Sequence, residues 1–267
     1  MAFDLPSTLS PSKVATFKDC ALAFRFSAID KIPQPPSEPA VKGTTVHRAL
    51  ELLFGFPPPE RTKDRAEECL SQALAEMAVD EDFLALDLDV SRRDQFALDA
   101  TTMVERYFAL EDPSDVQVIS TEMMIEAELG GVVIRGIIDR LEEDHDGNLV
   151  VTDYKTGRAP GVQQERARME GIHFYSLLCE KTLGRRPASI QLVYLGSQPQ
   201  IIRTQPSEMS TRGTTRRLEA IWSAIDRACA TEDFRPRQSA LCNWCSYKDF
   251  CPAFGGDPEL ARSAVST

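Results

Sequence analysis

The sequence predicts an α/β protein, a mixed sheet flanked by helices, with a helical region before it and a cysteine-bearing tail after it. Three observations carry that reading. Apolar residues recur at helical spacing through about the first 110 residues. The period drops to two from about residue 116, where β-branched residues gather in three runs. Beyond residue 160 helical and strand patterns follow one another, which adds strands to a sheet already begun.

Each element has its own signal. Ser10-Pro11 supplies an N-cap and a first helical position for a helix over Lys13–Phe26 that carries Cys20. Lys31–Pro39 holds four prolines in nine residues and reads as a loop. A second helix is expected from Gly43 through His47 and Glu51, which fall on one face, and Pro57-Pro58-Pro59 ends it. Two or three amphipathic helices fit residues 63–110. Val116–Leu129, Val132–Leu141 and Leu149–Tyr154 then read as an antiparallel meander, turned at Gly130-Gly131 and Asp146-Gly147. Gln163–Leu183 is a helix, Ile190–Leu195 and Gln200–Thr204 are strands, and Ser207–Cys229 is a helix. The domain expectation is one unit over 1–267: helical to about 112, an α/β core over about 113–230, and a tail over 231–267 joined to Cys20.

Composition excludes several classes. With 267 residues, 42% hydrophobic and 27% charged, the chain is an ordinary globular sequence. No run approaches the roughly 18 apolar residues of a membrane span. The N-terminal residues lack the basic start and apolar core of a signal peptide, so a cytoplasmic location without membrane contact is expected. The net charge of −11 argues against a polyanionic partner until its distribution is read. Residues 1–150 hold 14 Lys/Arg against 29 Asp/Glu, whereas residues 151–267 hold 16 against 12. A basic surface is therefore available in the second half.

The chemistry concentrates in Gly136-Ile137-Ile138-Asp139-Arg140 and Val150-Val151-Thr152-Asp153-Tyr154-Lys155-Thr156-Gly157. Asp139 and Asp153 lie near the ends of strands joined by a short hairpin, about 4.8 Å apart when adjacent, so both carboxylates can reach one cation. Asp153 and Lys155 are two apart and share a strand face. Two acids holding Mg²⁺ or Mn²⁺ beside an amine suit phosphodiester hydrolysis.

These residues, with a Gly-Thr-x-x-His segment at Gly43–His47 before them and Tyr175 on the helix after them, resemble the RecB-type nucleases of the PD-(D/E)XK superfamily. The resemblance runs from Cys20 to Cys251 and extends to AddB nuclease domains and CRISPR-associated RecB-like exonucleases. It implies a restriction-endonuclease-like core, metal ligands His47, Asp139, Asp153 and the Tyr154 carbonyl, and Lys155 as the catalytic lysine. Where the family commonly has Gln four residues before the helix tyrosine, this chain has Gly171, with His173 and Gln164 as possible substitutes. Tyr175 is either a site residue or a core-facing helix aromatic.

Seven cysteines and no export signal argue against a disulfide framework. Cys242-x-x-Cys245-x₅-Cys251 puts three thiols on a short segment, with no second close pair of the kind zinc ribbons use. Cys20 is the candidate fourth ligand, and the iron–sulfur branch of the resembled family uses the same arrangement. A structural [4Fe–4S] cluster is therefore expected, with zinc on the same residues as the alternative. Trp244 is expected to shield that centre, and Cys69, Cys179 and Cys229 to be buried small hydrophobes.

The resulting expectation is a Mg/Mn-dependent exonuclease acting on DNA, single-stranded ends or flaps above all, in repair or recombination. The alternatives are a non-catalytic DNA-binding subunit and the nuclease subunit of a helicase–nuclease complex. The chain has no Walker-type phosphate loop, so unwinding would come from a partner.

Overall fold

Helix starts follow the capping chemistry of the sequence. The computed structural model describes residues 3–159 and 161–263, except for the side chains of 162–170 and 262–263. Strand β1 (Thr8–Leu9) leads into α1 (Pro11–Asp19), where Ser10 Oγ accepts the Lys13 N–H at 3.3 Å. The expected single helix over Lys13–Phe26 is broken at Cys20, which is extended (φ −160°, ψ 112°) between α1 and α2 (Ala21–Phe24). That break turns the Cys20 thiol away from the helix, where the Arg237 N–H donates to its Sγ at 3.5 Å. A π-helical turn, Arg25–Ile29, follows.

Helix α3 (Glu38–Phe54) begins earlier than expected, because Pro39 occupies its first turn, where no N–H is needed. Three helices fill the acidic stretch: α4 (Lys63–Met77), α5 (Glu81–Ala85) and α6 (Val90–Leu110). Thr62, Asp80 and Asp89 cap them through side-chain oxygens. Then come β2 (Gln117–Leu129), β3 (Val132–Glu143) and β4 (Leu149–Lys155). Both glycines of the β2–β3 turn have positive φ, 56° at Gly130 and 85° at Gly131, as a two-residue hairpin turn requires. Helix α7 (Val162–Leu183), strands β5 (Ser189–Tyr194) and β6 (Gln200–Thr204), and helix α8 (Glu208–Thr231) complete the regular part. The tail holds three short 3₁₀ turns and the one-turn α9 (Leu260–Ser263).

The chain divides into two compact units. The sheet unit comprises Pro36–Ile125 and Ile137–Glu208. Its sheet is mixed: β2 pairs with β3, β3 with β4 is antiparallel, β4 with β5 parallel and β5 with β6 antiparallel. The parallel pair is buried almost throughout, which is why these strands read as apolar runs rather than alternating. The core sets Val46, Leu50 and Leu53 of α3, Leu70 of α4 and Val104 and Tyr107 of α6 with Tyr154 and Val193 of the sheet. Cys69 is a buried member of that core, and Cys179 is likewise buried.

One charged side chain is sealed inside this unit. Arg140 is fully buried, and its guanidinium donates to Glu111 Oε2 at 2.7 Å and Oε1 at 3.0 Å, to Tyr154 Oη at 3.0 Å and to Thr152 Oγ1 at 3.2 Å. Glu142 forms a further ion pair with it.

The tail unit comprises Met1–Pro35, Glu126–Gly136 and Met209–Thr267. Here β1 runs parallel to the start of β3, with Thr8 opposite Val133 and Leu9 opposite Ile134. Tyr247 fastens the cysteine segment to the N-terminal residues: its ring lies 5.3 Å from that of Phe26, its hydroxyl donates to Ile32 O at 3.2 Å, and Gln34 Nε2 donates to it at 2.8 Å. Among the described residues no helix is long and apolar enough to cross a membrane.

Candidate active site and thiol cavity

Alternation along two strands sorts the motif residues onto opposite faces of the sheet. Arg140 and the Tyr154 ring point into the core, so their neighbours Asp139, Asp153 and Lys155 point to the other side. Arg140 stands opposite Thr152, which brings Asp139 level with Asp153 across the β3–β4 hairpin. The ladder opens there: the Tyr154 N–H donates to Asp139 Oδ2 at 2.7 Å, which frees the Tyr154 carbonyl to face the site. Lys155 forms an ion pair with Asp153, its neighbour on the same strand face.

Helix α3 delivers His47. Gly43 lies against the loop after Lys155, where an added Cβ would stand 3.2 Å from Thr156 Oγ1, so the glycine permits the close approach. One turn on, His47 Nε2 lies 3.1 Å from the Tyr154 carbonyl. A carbonyl only accepts, so Nε2 carries the hydrogen of a neutral ring. Burial holds the His47 pKa below its ordinary value, against the opposing pull of Asp153. The lone pair is thereby left on Nδ1, 3.5 Å from Asp139 Oδ2 and 3.8 Å from Glu122 Oε1. Three acceptors facing one another are relieved by a proton or by a cation between them.

Glu122, on β2, escaped sequence reasoning. With His47 and Asp139 it forms the one group of three His, Cys, Asp or Glu ligand atoms, among the described residues, lying within 4.8 Å of one another. Its φ of 45° is a left-handed kink inside a strand, of the kind folds retain at functional sites. Counting back from the Gly130-Gly131 turn puts Glu122 level with Asp139, a signal that was present in the sequence.

The electrostatics of the group favour positive charge among the acids. Burial, then repulsion from Asp153, raises the Asp139 pKa to about 8. Burial, then Glu51 and Asp153, raises that of Glu122. Burial opposes the charge of Lys155, but Asp153 and Asp139 hold its pKa above the ordinary value, so it remains a cation. Tyr175 on α7 is raised by burial and then by Asp153, Asp139 and Glu122, which places it within the field of the acids rather than wholly in the core. Gly171 is exposed, His173 is two residues from Tyr175 on the helix, and the Gln164 side chain lies outside the described residues.

In the tail unit Cys20, Cys242, Cys245 and Cys251 line one cavity of about 230 Å³. Burial and then the other three thiols raise the Cys245 pKa. Backbone donors point at sulfur, with the Ser239 N–H 3.4 Å from Cys242 Sγ in addition to the Arg237 donor at Cys20. Trp244, expected to shield this centre, is one of the residues lining the cavity, with 88% of its surface left exposed.

Close approach also fixes the loop after Lys155. A Cβ at Gly196 would stand 2.4 Å from the Gly157 carbonyl oxygen. Gly196→Ala is expected to displace that loop and lower cleavage by about ten-fold or more, as small misplacements of catalytic groups do, with thermal stability as the companion measurement.

Comparison with known proteins places these features in context. The family model described as PD-(D/E)XK nuclease superfamily matches residues 8–252. The Gene 69 protein of Mycobacterium phage D29 is 25% identical over 273 residues, 92% of this chain and 96% of that one. A solved structure from Eubacterium rectale with a provisional exonuclease name is similar in fold, at 11% identity and a TM-score of 0.58, covering 90% of this chain and 88% of that one.

Proposed function

Because the chain belongs to the PD-(D/E)XK nuclease superfamily, we propose that it is a Mg²⁺- or Mn²⁺-dependent deoxyribonuclease that removes nucleotides from DNA ends or flaps, single-stranded ones above all, in repair or recombination. The observation that carries the reading is the group His47–Glu122–Asp139 beside Asp153 and Lys155. His47, Asp139, Asp153, Glu122 and the Tyr154 carbonyl would hold the cation, and a bound cation supplies Lewis-acid polarisation of the phosphate and a more acidic water. Lys155, kept cationic, orients the attacking water and neutralises charge developing on the phosphate. Tyr175 would contact the bound strand from α7, and Arg158, exposed just after Lys155, would meet its backbone. The whole chain would act as a single nuclease domain, with any unwinding supplied by a helicase partner. A purely DNA-binding subunit is the second reading, and the unneeded pairing of Lys155 with Asp153 weighs against it.

Purified protein incubated with end-labelled single- and double-stranded DNA tests this directly. Cleavage is expected with Mn²⁺ at least as well as with Mg²⁺, because an imidazole joins the oxygen ligands. None is expected in excess EDTA, and full activity there would sink the reading.

The same proposal gives the four-thiol cavity a structural [4Fe–4S] cluster. Four thiols lining one cavity are the donor set such a cluster takes, and zinc on the same residues is the alternative. Protein prepared without oxygen should be brown and carry about four iron atoms per chain. Cys20→Ser should lose iron and thermal stability together, whereas zinc without iron in the unaltered protein would assign the cavity to the alternative metal.

A further inference from the structure

On the outward face of the β2–β3 hairpin, charged rows stand on either side of one exposed apolar row. Glu126 pairs with Arg135 at 2.9 Å, and Glu122 meets Asp139 in the ligand group. Those two contacts fix the register on either side, so the row between them sets Met124 opposite Ile137. Both are exposed, Met124 at 61% and Ile137 at 48%. Outward positions of such a strand ordinarily carry polar residues. Ile137 lies two residues from Asp139 on the same face, about 6.7 Å along the strand. Continuing the β3–β4 register past the opening at Tyr154 puts Ile137 at the level of Lys155. An apolar pair thus adjoins the row of candidate ligands and the lysine.

We propose that Met124 and Ile137 form an apolar shelf that packs against the unpaired base next to the scissile phosphate, and so set a preference for unpaired DNA. The inference rests on the nuclease reading. A duplex offers its phosphates and groove edges but keeps its base faces stacked, so it has nothing apolar to lay on this row. An unstacked nucleotide presents a flat π face, on which Ile and Met make favourable dispersion and sulfur–aromatic contacts. Isoleucine and methionine are among the side chains that other proteins insert between opened base steps. The occupant is fixed by continuity: a nucleotide whose phosphate is drawn to Lys155 has its base within reach of this row and of no other exposed apolar pair on the hairpin face.

The test uses the full chain with Mn²⁺ and the double variant Met124→Gln, Ile137→Thr, whose exposed positions leave the melting temperature near that of the unaltered protein. On an end-labelled single-stranded oligonucleotide, kcat/KM should fall about ten-fold, chiefly through KM. On the same strand carrying abasic residues at the labelled end, the variant and the unaltered protein should cleave alike. Met124→Leu with Ile137→Val should restore the preference. Equal cleavage of the ordinary strand by both proteins would overturn the shelf, as would an equal loss on ordinary and abasic strands. If the unaltered protein cleaves neither strand, the nuclease reading falls and the shelf with it; cleavage by the unaltered protein with no variant effect removes the shelf alone.

Discussion

Alanine at Asp153 or at Lys155 lowers DNA cleavage about a thousand-fold, the scale on which loss of one preorganised charge acts on a developing oxyanion. The two changes should differ in what else they do. Asp153→Ala removes a proposed ligand, so it should also weaken binding of Mn²⁺ measured by calorimetry. Lys155→Ala should leave the cation bound and remove only the amine beside the phosphate. Asp153→Ala should not cost fold stability without metal, because it takes one charge from the buried, mutually repelling acids around Asp139. Lys155→Ala should cost some stability, since its amine offsets Asp153 and Asp139. An unchanged or raised melting temperature of Asp153→Ala with cleavage lost therefore separates catalysis from folding. Near-wild-type cleavage by either variant, freed of contaminating nuclease, would rule out this active site.

Arg140→Met is expected to have the largest effect on stability, a loss of about 3–5 kcal/mol in urea unfolding. The guanidinium is sealed from water and satisfies Glu111 with two hydrogen bonds while pairing with Glu142. Its removal leaves two carboxylates partly buried without a counter-charge. Arg140→Lys should recover little, since an ammonium cannot reproduce the fork that reaches Glu111, Tyr154 and Thr152 together. Unfolding midpoints within a few tenths of a kcal/mol of the unaltered protein would show that the network contributes nothing net. This network also explains the motif order Asp-Arg and Asp-Tyr-Lys. Alternate residues serve the site on one face and hold the sheet from the other.

Much of this was legible in the sequence because strand alternation and short turns are local rules. The two-residue turn at Gly130-Gly131 and the Asp139–Asp153 hairpin needed only counting. The helix boundaries near Cys20 and Glu38 were less so. Cys20 breaks a helix that its neighbours favour, and the Arg237 N–H that its sulfur meets lies more than 200 residues away. Pro39 reads as a breaker in isolation and as a helix start once Ser37 and Glu38 are seen to precede the first turn. Glu122 was overlooked because one acid in a strand looks like a solvent-facing residue until its left-handed backbone and the nearby imidazole are known.

The way the two units share the chain bears on the order in which they can be finished during synthesis. Every residue of the sheet unit has been made once Glu208 is reached, whereas the tail unit draws on Met1–Pro35, Glu126–Gly136 and Met209–Thr267. At ribosomal speeds the last segment takes roughly 3–12 s to appear. Over that interval the acids, the imidazole and the lysine can already be folded together, while Cys20 waits for the three thiols that share its cavity. Phe26 therefore spends that time without the rings of Tyr247 and Phe250, which lie 5.3 Å and 6.2 Å from it. Sticking of the nascent chain, and loss of product at raised temperature, should concentrate at that N-terminal segment rather than at the sheet unit.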